Sequence, residues 1–420
     1  MSEILFKNLA LLDVTRGRLV SGHQILVRDN KISQIAKGSI RAPKAQVVDC
    51  GGRTLMPGLI DCHVHLVFVA NHAGILGRSG MDATPAMLPS LMNAYVSELM
   101  RGMVLRGFTT VRDAGGADLG HKQAIERKLF LGPRLFVSGR AISQTGGHGD
   151  GRARADLMEP CSCVHLAGGI GRLADGDAEV RKAVRDEIRL GADQIKLMAG
   201  GGVGSLHDPI DQLQYSTAEL EAVVDEATRS HTYVLAHAYT ADAIRRCVAA
   251  GVRTIEHGNL IDEDAARKMA RARTYLVPTL VTYDVGMKIG REMRMPEETM
   301  AKRAYVYAAG TKSLELAKRA GVKIAFGTDL YIKPDQYQSD EFKIRAEVLS
   351  TAEVIRSATT IGAEVVRMPG QIGIIKEGAL ADLLVVDGNP LDDIKVLCGQ
   401  GEKFSVIMKD GEFVKNRLPA

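Results

Sequence analysis

Eight short apolar runs rich in β-branched residues, alternating with amphipathic helical stretches, constrain this chain more than any other feature. They are LIDCHVHL, FTTVRDAG, RLFVSG, QIKLMAG, YVLAHA, VRTIEHG, TYLVPT and VKIAFGTD. Strands covered on both faces read as continuous apolar runs, and their alternation with helices is the pattern of parallel βα units. The spacing therefore predicts an α/β fold with a TIM-like (β/α)8 barrel. The two ends of the chain differ. Residues 1 to about 57 (ILFKNLALLD, HQILVRDNKISQIA, AQVVDCGGRTLMPG) and the final stretch (GALADLLVVDGN, FSVIMKDGEFVKN) carry period-two runs broken by turn signals, which predict antiparallel strands. Lys409-Asp410-Gly411-Glu412 has the Asp-Gly signature of a hairpin.

Six residues able to bind a metal fall at or near the ends of these runs: His63 and His65, Lys196, His237, His257 and Asp329. Barrel active sites are built at the C-terminal ends of the strands, so the placement suits catalysis. His63 and His65 stand two apart and share a strand face, with Cys62 and Val64 turned away. His237 and His257 are joined by the helical stretch TADAIRRCVAAG, which places them on neighbouring parallel strands. Taken alone, a pair of strand histidines is a weak signal, Lys196 reads equally as a solvated lysine, and Asp329 as a helix cap after Gly-Thr. The ordered set is far more specific. A lysine inside the apolar run QIKLM is also costly to bury as a cation and shifts towards neutrality.

Composition narrows the partners. The 420 residues carry 54 basic and 50 acidic side chains, a net charge of +4, with no basic run interleaved with aromatics. Nucleic acid is excluded as the expected partner. The first twenty residues read as strand and turn rather than as a signal peptide, and no run reaches the ~18 uncharged apolar residues of a membrane span. A cytoplasmic protein without membrane contact is expected, and the six scattered cysteines fit reduced thiols better than a disulfide framework.

The order HxH, Lys, His, His, Asp, each at a strand end, resembles the binuclear form of the amidohydrolase superfamily. The motifs PGLIDCHVHL, TTVRDAGG, GGHGD, IKLMAGGG, HAYT, IEHGN and GTD are most similar to its imidazolonepropionase-related group, with its Xaa-Pro dipeptidases (prolidases) and metallo-carboxypeptidases. The resemblance implies a β-sandwich formed by residues 1–57 and 362–420, with the barrel, 58–361, inserted between them. It implies two divalent metal ions, with zinc as the expected metal. His63, His65 and Asp329 would hold one and His237 and His257 the other, with Lys196, carboxylated by carbon dioxide, bridging both. It also implies that His148, in GGHGD, polarises the scissile carbonyl, and that Asp329 moves the proton of a metal-bridging hydroxide to the leaving amine. Tyr239 lies two residues after His237, on the same face if the strand continues. Its phenol reads either as an oxyanion donor or as a packing residue.

The expected activity is hydrolysis of dipeptides or N-acyl amino acids, with proline or a neutral apolar residue on the carboxyl side, in a homo-oligomer. Arg152, Arg154 and the backbone amides of 200–202 are the nearest candidates for the substrate carboxylate. A cyclic-amide hydrolase, opening an imidazolone or lactam, is the rival with the same metal chemistry. A mononuclear deaminase would carry a glutamate where Thr240 stands, and a non-catalytic scaffold would be expected to have lost ligands. The long Gly-rich stretch from Ser143 to Gly171 is expected to cover the site. The methionines of TYDVGMKIGREMRMPEETMAKRAY read either as an adaptable lid or as helix packing. CSCVH (161–165) lacks the fourth ligand of a zinc site.

Overall fold

The computed structural model describes residues 2–418 except 74–87, 153, 156, 159–168, 206 and 332. The N-terminal region supplies β1 (Glu3–Asp13), β2 (Arg18–Arg28), β3 (Lys31–Lys37), β4 (Gln46–Asp49) and β5 (Thr54–Pro57). Ahead of the C-terminal strands lie β6 (Leu59–Val64), β7 (Phe108–Asp113), β8 (Arg134–Phe136), β9 (Ala141–Ser143), β10 (Gly171–Leu173), β11 (Ile195–Met198), β12 (Val234–Thr240), β13 (Thr254–Leu260) and β14 (Tyr275–Val277). The last three strands are β15 (Leu383–Val386), β16 (Phe404–Lys409) and β17 (Glu412–Asn416).

The two ends of the chain share one eight-stranded sheet, ordered β17-β16-β15-β5-β1-β2-β3, with β4 beside β1. Strand β1 branches the sheet. Its first half pairs in parallel with β4 and its second half with β5, and its register against β2 shifts between Phe6 and Ala10. Bulges of this kind bend a strand away from one neighbour and towards another. Inward residues from both ends, among them Phe6, Ile25, Val27, Leu383, Val385 and Met408, make one buried cluster. The final hairpin turns at Asp410 and Gly411, both at positive φ, the backbone of a primed two-residue turn.

Between these ends lie two parallel sheets, β6-β7-β8 and β10-β9-β11-β12-β13-β14. All six residues of β6 and of β7 are buried, as strands covered on both faces require. The helices carry their apolar residues at helical spacing. In Thr217–Arg229, for example, Ser216 and Glu219 form a capping box, and Leu220, Val223 and Ala227 face the core.

Two expected features take a different form. The run VKIAFGTD forms no strand of its own. It lies between β14 and β6, held by a bridge from Ile324 to Leu276 and by hydrogen bonds from Cys62 N to the Phe326 carbonyl and from Asp329 N to the His63 carbonyl, each 2.8 Å. The backbone leaves the extended region at Asp329 (φ 46°), which ends any ladder there. Two short strands that the sequence did not signal, β9 beside β11 and β10 beside β9, extend the sheet of β11; they bracket the Gly-rich stretch, of which 153, 156 and 159–168, including Cys161, Cys163 and His165, lie outside the described residues. Met293 and Met295 pack against the main core beside the helix Glu297–Ala320, which favours the packing reading.

Candidate active site

His63, His65, Lys196, His237 and His257 are all buried, and Asp329, held against the end of β6 through the His63 carbonyl, is partly exposed. His63, His257 and Asp329 each offer a ligand atom within 4.8 Å of the others. Asp329 Oδ1 lies 3.5 Å from His65 Nε2 and 3.7 Å from His63 Nε2, and these two nitrogens are 3.3 Å apart.

The partners of the remaining nitrogens fix what each imidazole presents. Desolvation holds His63, His237 and His257 far below the usual imidazole range and His65 down to about 3, so the rings are neutral. His65 Nδ1 sits 2.8 Å from the Gly115 carbonyl, which only accepts; Nδ1 therefore carries the proton and Nε2 the lone pair. His63 Nδ1, 2.6 Å from the Glu256 carboxylate, is fixed in the same way. Two lone pairs and a carboxylate oxygen that face one another repel unless a cation lies among them. The donor set thus fits a divalent metal. His237 is reversed: its Nε2 donates to the Gly201 carbonyl at 3.1 Å, leaving Nδ1 as the donor atom. His257 Nδ1 meets Thr279 Oγ1 at 2.8 Å and the Tyr283 hydroxyl at 3.1 Å, which leaves Nε2 for the site.

Burial pushes the Lys196 ammonium down and the Asp329 carboxyl up, each opposed by the charge of the other. A lysine in this setting loses its proton more readily than one in water.

Beneath the histidines lies a charged layer that sequence reasoning did not single out. Glu256 accepts from His63, from Thr254 Oγ1 at 2.5 Å, and from Arg112 Nη2 at 2.8 and 3.0 Å, while Arg112 Nε donates to the Cys62 carbonyl at 2.6 Å. Both charged residues are fully buried. Strand alternation would turn either Glu256 or His257 away from this interior. The φ of +73° at His257 breaks the alternation, so both face inward. The charged residues inside TIEHG and TTVRD were a readable signal, by the argument applied to Lys196.

His148 stacks on His237 with centroids 4.3 Å apart, and Gly202 makes this possible, since a Cβ there would sit 1.8 Å from the His148 ring. Its Nδ1 lies 3.0 Å from Ser205 Oγ and 3.3 Å from buried Asp208 Oδ2. Tyr239 packs edge-on against His237 and stacks on His257, and its hydroxyl meets that of Tyr283 at 2.8 Å. Among the carboxylate candidates, Arg152 is tied to Asp150 by bonds of 2.9 and 2.8 Å, Arg154 is exposed, and the amides of Gly201 and Gly202 donate to Gln212 O and Asp208 Oδ2.

Residues 54–414 match the Amidohydrolase family. The chain belongs to the amidohydrolase family. This amidohydrolase is a hydrolase of a generally metal-dependent family whose fold is a TIM barrel with a β-sandwich. It is similar to a prolidase solved with N-methylphosphonate-L-proline, at 48% identity, covering 99% of this chain and 100% of that one with a TM-score of 0.94. It is 32% identical over 351 residues to the ochratoxinase of Aspergillus niger, spanning 81% of this chain and 72% of that protein. An imidazolonepropionase of Mesorhizobium japonicum is 24% identical over 408 residues, spanning 88% of this amidohydrolase and 87% of the relative. No described helix is long and apolar enough to cross a membrane.

Proposed function

We propose that this amidohydrolase is a binuclear, zinc-dependent amide hydrolase that cleaves dipeptides or N-acyl amino acids, with proline or a neutral apolar residue on the carboxyl side. The observation that carries the reading is the convergence of unprotonated Nε2 atoms from His63 and His65 on Asp329, in a chain 48% identical to a prolidase. In this reading His63, His65 and Asp329 would hold one metal and His237 and His257 the other, and Lys196, once carboxylated, would supply oxygen ligands to them. Residues 58–361 form the closed eight-unit barrel, flanked by sandwich halves 1–57 and 362–420, in a cytoplasmic homo-oligomer.

The chemistry a bound metal pair supplies is Lewis-acid polarisation and a water nucleophile at neutral pH. The protein's own groups do the rest. Glu256 and the Gly115 carbonyl hold the His63 and His65 rings in register. Asp329 takes a proton from the attacking water and passes it to the leaving amine. His148, oriented by Asp208 and Ser205, donates to the scissile carbonyl, and Tyr239 donates to the oxyanion as charge develops.

The imidazolonepropionase relative favours a second reading, opening of a cyclic amide by the same groups. A panel of Xaa-Pro dipeptides, N-acetyl amino acids and ring amides, assayed on protein of measured metal content, separates the two. Turnover of the linear amides with about two metals per chain is expected. Turnover confined to ring amides would replace the first reading with the second, and full activity without metal would refute both.

A further inference from the structure

The loop that carries His148 and the loop after β11 are laced together by two glutamines, each reaching the backbone of the other loop. Gln144 Oε1 accepts from Tyr215 N, and Gln214 Oε1 accepts from His148 N at 3.0 Å. Gln214 has a second arm. Its Nε2 donates to Asp208 Oδ2 at 3.3 Å, the same oxygen that takes the Gly202 amide at 2.8 Å and faces His148 Nδ1 at 3.3 Å. Chemistry fixes the orientation of this side chain, since the His148 N–H can meet only its oxygen and the carboxylate only its nitrogen.

Gln214 and Asp208 are both fully buried, and their backbones are anchored. Gln214 N donates to the Ala199 carbonyl at 3.2 Å, Leu213 bridges to Gly200, and Arg246 Nη1 donates to the Gln214 carbonyl at 3.3 Å. From outside the site, Lys302 of the helix Glu297–Ala320 donates to the carbonyls of Ser205 and Asp208 at 2.9 and 3.0 Å. Gly147 leaves room for the clasp, because a Cβ there would sit 2.8 Å from Gln214 Oε1. A staple between two loops needs only one bond to the opposite backbone, which Gln144 already supplies. The second arm of Gln214 ends on the carboxylate that faces the His148 ring, so this one amide governs both where the His148 backbone stands and how its ring is turned.

We propose that Gln214 is a positioning residue of the hydrolytic reaction: it locks the His148 backbone to Asp208, so that the His148 ring meets the carbonyl under attack at the right depth and angle. The inference rests on the amide-hydrolase reading, in which His148 is the group that touches the substrate and Gln214 acts only through it. Misplacing a reacting group by about 1 Å can lower a rate on the order of 100-fold, so loss of the clasp should appear in kcat.

A double-mutant cycle separates this role from a structural one. With Ala-Pro as substrate, Gln214→Met is expected to lower kcat about 10- to 100-fold while KM changes less than about 3-fold. Gln214→Glu keeps the acceptor for His148 N but sets a second carboxylate against Asp208, and should lower kcat at least as far. In a His148→Asn background neither change should lower kcat by more than about 2-fold, because the group they place is gone. The same loss in both backgrounds overturns the proposal, as does Gln214→Met or His148→Asn with kcat within about 2-fold of wild type. Metal content and circular dichroism report whether each variant is folded. If Gln214→Met does not fold, Lys302→Met, which releases the Asp208 loop from outside, carries the same non-additive expectation in smaller measure. A wild type that opens 5-oxoproline and leaves Ala-Pro intact refutes the linear-amide reading alone, and the cycle run on 5-oxoproline then decides the role of Gln214. A wild type that turns over neither refutes the hydrolase reading and this proposal with it.

Discussion

Replacing Glu256 with glutamine tests the charged layer beneath the site more sharply than any change to the histidines. The substitution keeps size and one acceptor oxygen but removes the charge that faces Arg112 Nη2 at 2.8 Å, where both side chains are fully buried. At that distance and an effective dielectric of ~20 the Coulomb energy of the pair is ~6 kcal/mol. Part survives as a neutral hydrogen bond, so Glu256→Gln should cost about 3 to 5 kcal/mol of stability, the usual price of stranding one member of a buried pair. The same change weakens the acceptor that holds the His63 Nδ1 proton, and loss of such a partner lowers metal affinity about 10- to 100-fold. Denaturant unfolding of the metal-free protein reads the first quantity and competition against a chromogenic chelator the second. The double variant Glu256→Gln with Arg112→Met should recover most of the stability, because no unpaired charge remains, while metal affinity stays low. Stability within about 1 kcal/mol of wild type together with unchanged metal affinity in Glu256→Gln would refute the reasoning, since it would mean that Glu256 is neither paired nor positioning.

Lys196→Ala should lose at least one metal and nearly all activity, and acetate or propionate should restore part of both; Lys196→Arg, permanently cationic, should not be rescued, and elemental analysis with activity assays checks each case. Asp329→Asn should lower kcat by orders of magnitude with the fold retained, measured by steady-state kinetics and circular dichroism; near wild-type kcat with both metals bound would remove Asp329 from proton transfer. Tyr239→Phe should reduce kcat more than it raises KM, with about 100-fold as the scale for one oxyanion donor, and a change confined to KM would place the phenol in ground-state binding.

The parts of the site that were readable in the sequence are those where one residue type stands out against its local background. His63 and His65 two apart, Lys196 within an apolar run, and Asp329 after Gly-Thr each stand out from the run around them, and the structure brings the side chains of His63, His65 and Asp329 within 3.7 Å of one another. Glu256 carried the same signal as Lys196, a charge inside an apolar run, but its inward direction was not readable: strand alternation allows only one of two neighbours to face inward, and the positive φ of His257 that admits both has no signature in residue type. Asp208 and Tyr283 were missed for another reason. Their roles come from contacts to His148 and His257 made by loop and helix backbones whose course depends on the packed fold. The terminal strands were legible from period-two patterning, whereas the branching of the sheet at β1 depends on bulges that leave no mark in hydropathy.

The shared terminal sheet also sets a timetable for folding. Thr54 Oγ1 donates to the Gly388 carbonyl, 334 positions along the chain, and β5 pairs with β15 in the same place. Chain entropy makes such a closure slow rather than very unfavourable, about 5 kcal/mol for a loop of this length before any constant term. On a ribosome adding ~5 to 20 residues per second, one edge of β5, apolar and unprotected, waits on the order of 20 to 60 s for its partner to be made. An exposed strand edge is a template for pairing with other chains. The stretch Thr54-Leu55-Met56-Pro57 is thus where a nascent or truncated chain is most open to aggregation or chaperone capture, and the proline at its end, which cannot donate to a ladder, limits how far a foreign strand can extend the pairing.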